Sequence, residues 1–267
     1  MKRAWILGAL ALPALAPAAE KPLWELGAGV GGLHLPYYRG SNKANAWLLP
    51  VPFYVYRGKI FRADRDGARA MLFESERVDF DISLAATAPS KAKDDPAREG
   101  MPDLAPTIEI GPKLNINLLH SGPWKVDFRM PLRGGVTVEK SSRSIGWTLT
   151  PVLNLDWKAP WIDVGMQAGP LWGNRLQHKY FYDVPSEYAT ATRPAYSAPG
   201  GYAGWQATLA LSRRYGDFWV GAYARRDSVA GAAFVASPLV TARQHWSYGF
   251  ATAWVFAAST TNVTVED

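Results

Sequence analysis

The sequence predicts an all-β chain: a closed antiparallel transmembrane β-barrel of twelve strands, with ten or fourteen as the alternatives. Three observations predict it. Apolar and polar residues alternate with period 2 in segment after segment, the pattern of a strand with one apolar face. Several segments extend well past the roughly 5–6 residues of a globular strand, toward the roughly 9–11 of a membrane-spanning one. The connections alternate between short and long, as they do in outer-membrane barrels.

The elements follow in order. Lys2-Arg3 precede an uncharged, apolar stretch from Ala4 to Ala19, and Ala16-Pro17-Ala18 supplies small residues for cleavage. Residues 1–18 therefore read as a secretory signal peptide, too short to span a membrane as a helix. Residues 19–256 read as the barrel and 257–267 as a C-terminal tail. No later apolar run is long enough for a spanning helix, and only helices and closed barrels satisfy every backbone group in lipid.

The barrel opens with Trp24, Leu26, Ala28 and Val30 alternating with Glu25, Gly27 and Gly29. Trp47–Tyr56 is apolar on both faces, so its register stays open. Residues 60–64 and 68–73 read as a short hairpin around Asp66-Gly67. Val78–Ala86 alternates again, and Ile108–Leu118 does so most clearly. In the next strand Trp124, Val126, Phe128, Met130 and Leu132 oppose Lys125, Asp127, Arg129 and Arg133. Ile145, Trp147, Leu149, Leu153, Leu155 and Trp157 then share one face against Thr148, Asn154 and Asp156. Residues 162–172, 205–211 and 218–225 follow, the last with open register. The final strand carries Trp246, Tyr248, Phe250, Thr252, Trp254 and Phe256, a terminal aromatic pattern of the kind read by barrel-insertion machinery.

The connections at 57–59, 74–76, 119–123, 158–160 and 215–217 are short, and those at 34–46, 88–104, 134–144, 173–200 and 229–242 are long. Both termini then lie at the short-turn, periplasmic end. Trp24, Trp47, Trp124, Trp157, Trp161, Trp172 and Trp219 at strand ends read as interfacial aromatic girdles. Ile110, Leu114, Val126, Phe128, Leu149, Leu209 and Phe250 are expected to face lipid. The charged residues Glu109, Lys113, Lys125, Asp127, Arg129 and Arg133 are expected in the lumen, with Asp156 and Gln206.

Composition excludes several function classes. The net charge of +6 includes Lys2 and Arg3 and is too diffuse for a nucleic-acid surface. With no cysteine, disulfides, thiolate catalysis and iron–sulfur clusters are ruled out. His34, His120, His178 and His245 lie on separate segments without metal spacing. Asp94, Asp95, Glu99 and Asp103 share a loop with Lys91, Lys93 and Arg98 and lack calcium-loop spacing. His245 and Ser247 have the His-x-Ser spacing of a lipid deacylase, but alternation turns them into the lumen, away from lipid. No catalytic residue, cofactor or metal is expected.

Several segments in order resemble the MipA/OmpV family of outer-membrane proteins. They are Tyr37-Tyr38-Arg39-Gly40-Ser41, Leu49-Pro50, Gly100-Met101-Pro102-Asp103, Phe181-Tyr182-Asp183-Val184, Tyr196–Gly201 and Ser237-Pro238-Leu239-Val240. The resemblance runs from about Trp24 to Phe256. It implies a non-enzymatic outer-membrane scaffold for peptidoglycan-remodelling enzymes, with a murein lytic transglycosylase and a penicillin-binding synthase as partners. A small-solute channel and a surface adhesin working through loop 173–200 are the alternatives. Outer-membrane lipid and lipopolysaccharide are the expected surroundings, reached by export through the periplasm.

Overall fold

A computed structural model describes residues 19–64 and 67–265. The signal segment, Asp66 of the hairpin turn and Glu266-Asp267 of the tail lie outside the described residues. The strands are β1 (Ala19–Pro22), β2 (Trp24–Pro36), β3 (Ala44–Arg57), β4 (Phe61–Asp64), β5 (Gly67–Glu74), β6 (Val78–Thr87), β7 (Thr107–Ser121) and β8 (Trp124–Thr137). They continue as β9 (Ser144–Leu149), β10 (Val152–Lys158), β11 (Asp163–Gly173), β12 (Gly201–Tyr215), β13 (Phe218–Ser228), β14 (Gln244–Ala258) and β15 (Asn262–Val265). One helix, α1 (Arg175–Tyr182), lies in the longest loop.

Each strand from β2 to β14 pairs antiparallel with its neighbour, and β14 closes on β2 from Tyr248↔His34 to Ala258↔Glu25. β9 and β10 are one strand interrupted at Thr150-Pro151. Both lie between β8 and β11, and Pro151 has no N–H to give the ladder. Counted so, the barrel has the twelve strands expected. The tail returns along the chain start: β15 pairs with β1, from Ala19↔Val265 to Pro22↔Asn262, at the short-turn end.

The period-2 pattern becomes an apolar outer belt. Phe250 is 56% exposed, Leu153 53% and Ile110 52%, while Asp127 and Asp81 on the opposite face are 2% and 0% exposed. Exposure of that kind is stable in lipid and costly in water. Phe250→Arg should therefore lower the unfolding free energy in bilayers by about 2–4 kcal/mol. Ser212→Arg, opposite Asp163 inside the barrel, should cost less. Urea titration read by the heat-modifiable gel shift measures both; equal losses would contradict this register.

Three expectations change. Ile145 does not share the outer face with Trp147: it is 1% exposed, inside the wall. The register shifts between Gly135↔Gly146 and Val136↔Ser144, leaving Ile145 as the extra residue of a bulge. Gly146 holds φ +91°, and a Cβ there would meet Asn174 Oδ1 at 2.1 Å, so the site requires glycine. Trp219 and Trp47 leave the expected girdle. Trp219 turns inward and packs on Phe53 at 5.7 Å between ring centroids, and Trp47 shares the face of Val51 and Phe53 on β3. Trp124, Trp157 and Trp161 do form an aromatic cluster at the short-turn end. Finally, β4 completes the ring without crossing the membrane: its four residues span about 13 Å, against an apolar band of about 25 Å.

Candidate functional site

Two features fill the barrel: a cap over the long-loop mouth and charge networks along the lumen. The cap is built by four loops, residues 37–43, 88–106, 174–200 and 229–243. Their apolar side chains make one core of Tyr38, Met101, Leu104, Tyr182, Val184, Ala198, Val229, Phe234 and Leu239. The Phe234 ring stacks on Tyr182 at 3.6 Å and meets His178 edge-on at 4.7 Å.

Polar groups tie the loops to one another. The Tyr38 hydroxyl donates to Leu239 O at 2.8 Å, that of Tyr182 to Arg39 O at 2.8 Å, and that of Ser237 to Tyr182 O at 2.7 Å. Arg98 donates to Phe181 O at 3.1 Å and to Pro102 O at 3.3 Å. Val184 and Tyr196 form a β-bridge, and Asp183 Oδ1 accepts from Ala198 N at 2.6 Å. Asn174 caps α1, its Oδ1 accepting from Gln177 N at 3.0 Å and from Trp147 N at 3.1 Å, which fastens the helix to β9. Burial pushes the Tyr182 and Tyr38 hydroxyls far above the usual phenol range. Burial also pushes His178 down, against the opposing contact of its Nδ1 with Pro199 O at 2.6 Å, so the ring is neutral inside the cap.

The acidic loop residues serve this architecture. Asp95 accepts from Ser41 and from Ala97 N, and Asp103 Oδ1 accepts from Ala92 N at 2.7 Å. Among the described residues no group of three or more His, Asp or Glu is placed to hold a metal ion.

Below the cap, Asp227 is fully buried between Arg39 Nε at 3.1 Å, Arg225 Nε at 2.9 Å and His245 Nε2 at 3.4 Å. Alternation in 218–228 was too ambiguous to reveal this cluster; the one signal was Arg225-Arg226-Asp227 closing an otherwise apolar strand. His245 thus serves a carboxylate inside the barrel, and the buried Ser247 hydroxyl has no hydrogen-bond partner among the described residues. His34 stacks on Tyr248 at 4.5 Å, and His120 is exposed at the short-turn end.

The charged residues expected in the lumen fall into separate networks. Arg129 bonds Asp127 and lies 3.6 Å from Asp156, while Asn154 Nδ2 donates to Asp156 at 3.0 Å and to Asp127 at 3.3 Å. Lys113 pairs with the buried Asp81 at 3.3 Å. Glu109 accepts from Thr148 at 3.0 Å, and Arg133 donates to Ser83 at 3.0 Å. Lys125 is half-buried, with His120 and Asp156 as cross-strand neighbours. A further cluster, Glu25 with Arg57 and Arg214, joins the start and end of the barrel near the short turns. Arg129, Asn154 and Asp156 form one side of a cavity of about 420 Å³, and Trp219, Tyr223 and Gly221 the other.

Among curated proteins no match is found. Solved structures similar to the chain include a bacterial polysaccharide outer membrane secretin (10% identity, 87% of this chain and 99% of that one, TM-score 0.42). The CymD monoaromatic hydrocarbon channel is similar at 11% identity over 87% of this chain and 88% of that one, with a TM-score of 0.38. The toluene transporter TodX of Pseudomonas putida is similar at 8% identity over 88% and 68%, with a TM-score of 0.31. The motifs gathered in the cap belong to a longer match: residues 28–256 fit the family described as MltA-interacting protein MipA, and the chain belongs to that family.

Proposed function

We propose that this outer-membrane barrel is a non-enzymatic scaffold for peptidoglycan-remodelling enzymes, its long-loop end outward and its short-turn end in the periplasm. The observation that carries the reading is the cap. The family's motif residues, from Tyr38 to Leu239, converge on sealing one mouth rather than on lining a pore or a catalytic cleft. The family description names an interaction with MltA, and on this reading the partners are a murein lytic transglycosylase and a penicillin-binding synthase. Murein enzymes work in the periplasm. The docking surface is then the short turns around Arg57–Lys59, Glu74–Arg77, His120–Pro123 and Tyr215–Asp217 with the β1–β15 ribbon.

The test uses the full chain in nanodiscs. It should capture murein enzymes from an envelope extract, capture should weaken as salt rises because rim charges are screened within about 8 Å, and a planar bilayer should stay silent. Conductance without capture would replace this reading by the small-solute channel, which the lumen cavity of about 420 Å³ favours. The adhesin reading has less support, because much of loop 174–200 is bound into the cap core.

A further inference from the structure

Among the described residues, one side of β3 has no partner strand over most of its length. Arg57 N–H donates to Leu23 O at 2.8 Å, so Arg57 turns its backbone groups toward β2. With period 2, residues 55, 53, 51, 49, 47 and 45 do the same. The even-numbered residues turn theirs the other way, toward β4. There β4 supplies Ala63 opposite Tyr56 and Arg62 opposite Arg57, and its described residues end at Asp64. Among the described residues no strand pairs with that side of β3 from Ala44 to Val55. The β4–β5 hairpin separates β3 from β6 by three interstrand spacings, about 14 Å. Above the hairpin that width contains no strand among the described residues. At its top the cap bridges it, Ser41 Oγ before β3 reaching Asp95 Oδ2 after β6 at 3.4 Å. The wall therefore has a window, framed by β3, the hairpin, β6 and the cap.

An unpaired strand edge at lipid depth is costly, because each backbone donor left without a partner costs several kcal/mol. The uncharged stretch of β3 lies between Asn45 and Arg57. Two of its window-facing positions are Pro50 and Pro52, which have no N–H. Between Leu48 and Tyr54 the edge thus presents no donor, only the Pro50 and Pro52 carbonyls, and under-satisfied carbonyls are better tolerated than donors. The same prolines deny the edge to a strand from a partner or a second copy. The edge is composed to stay open to lipid.

Inside the window stand Val51 and Phe53, and the Phe53 ring touches Trp219, which lines the lumen cavity. Leu48, Tyr54 and Leu84 are exposed on the outer frame. We infer that the window is a lateral portal through which small apolar or aromatic solutes dissolved in the bilayer reach the lumen cavity, past Phe53. The portal is independent of the scaffold reading, since it uses the wall and not the periplasmic rim.

The absence of cysteine makes single-site labelling unambiguous. An environment-sensitive fluorophore is placed at Val51→Cys, at Ala210→Cys (inward on β12, away from the window) and at Leu48→Cys (outward), each variant checked as folded by heat-modifiability. In vesicles containing doxyl-labelled phosphatidylcholine, the Val51 label should be quenched nearly as strongly as the Leu48 label and several-fold more than the Ala210 label. A Val51 label as shielded as the Ala210 label would overturn the portal, whether the wall is closed or a second copy covers it. In the wild-type protein, benzophenone dissolved in the same vesicles and irradiated should insert into the peptides holding Phe53 and Trp219. Insertion confined to outward residues such as Leu48 and Phe250 would also overturn it.

Discussion

Phe234→Ala should turn a silent barrel into a conducting one. Phe234 is 1% exposed and has the Tyr182 ring on its face and the His178 ring at its edge. Truncating a buried phenylalanine costs about 3–5 kcal/mol, from lost transfer energy and the cavity left behind. The cap is held by loop-to-loop contacts and lacks a strand ladder of its own, so the loss falls on the cap and spares the wall. Loops 174–200 and 229–243 should part, exposing the lumen. In planar bilayers the wild type should show no steps and Phe234→Ala should show frequent openings. The heat-modifiable shift should remain, because the ladder is untouched. Phe234→Leu keeps most of the volume and should stay mostly closed. A silent Phe234→Ala, with protease resistance of the loops unchanged, would show that the mouth is sealed elsewhere.

Asp227→Ala should be the most destabilising single change in the lumen, at about 3–5 kcal/mol. It removes the shared counter-charge of Arg39 and Arg225 and the carboxylate beside His245, and leaves two guanidinium groups facing each other inside the barrel. The effect should reach the cap. Arg39 belongs to the first loop, its carbonyl accepts from the Tyr182 hydroxyl, and its guanidinium donates to Trp205 O at 3.3 Å. Asp227 is therefore one of the points where the wall holds the cap. The double variant Asp227→Ala, Arg39→Ala should cost less than the sum of the single changes, because the second removes one of the charges the first strands. Urea unfolding in vesicles of all four proteins measures the coupling. Strict additivity would mean that the pair does not hold the cap.

The strand count, the apolar belt and the order of short and long connections were legible in the sequence because each is local. Side chains alternate across a strand whatever it pairs with, and lipid selects the apolar face, so Ile108–Leu118 and Trp246–Phe256 reveal their outer faces without any knowledge of neighbours. Where both faces are apolar, as in 47–56 and 218–225, alternation carries no such information, and the ladder alone turned Phe53 and Trp219 inward. The bulge at Gly146 depends on Asn174 arriving from the next loop, so counting by twos carried Ile145 to the wrong face. The cap motifs were visible as scattered segments, but their meeting around Phe234 joins loops as far apart as Tyr38 and Leu239, 201 positions along the chain. The same holds for Asp227, whose three side-chain partners come from three parts of the chain, and for Pro50 and Pro52, whose missing N–H groups acquire meaning only once the short β4 leaves that edge bare. Periodicity along the chain determined the wall; closure of the ring, which brings distant segments side by side, decided what fills it, what seals it and where it is open.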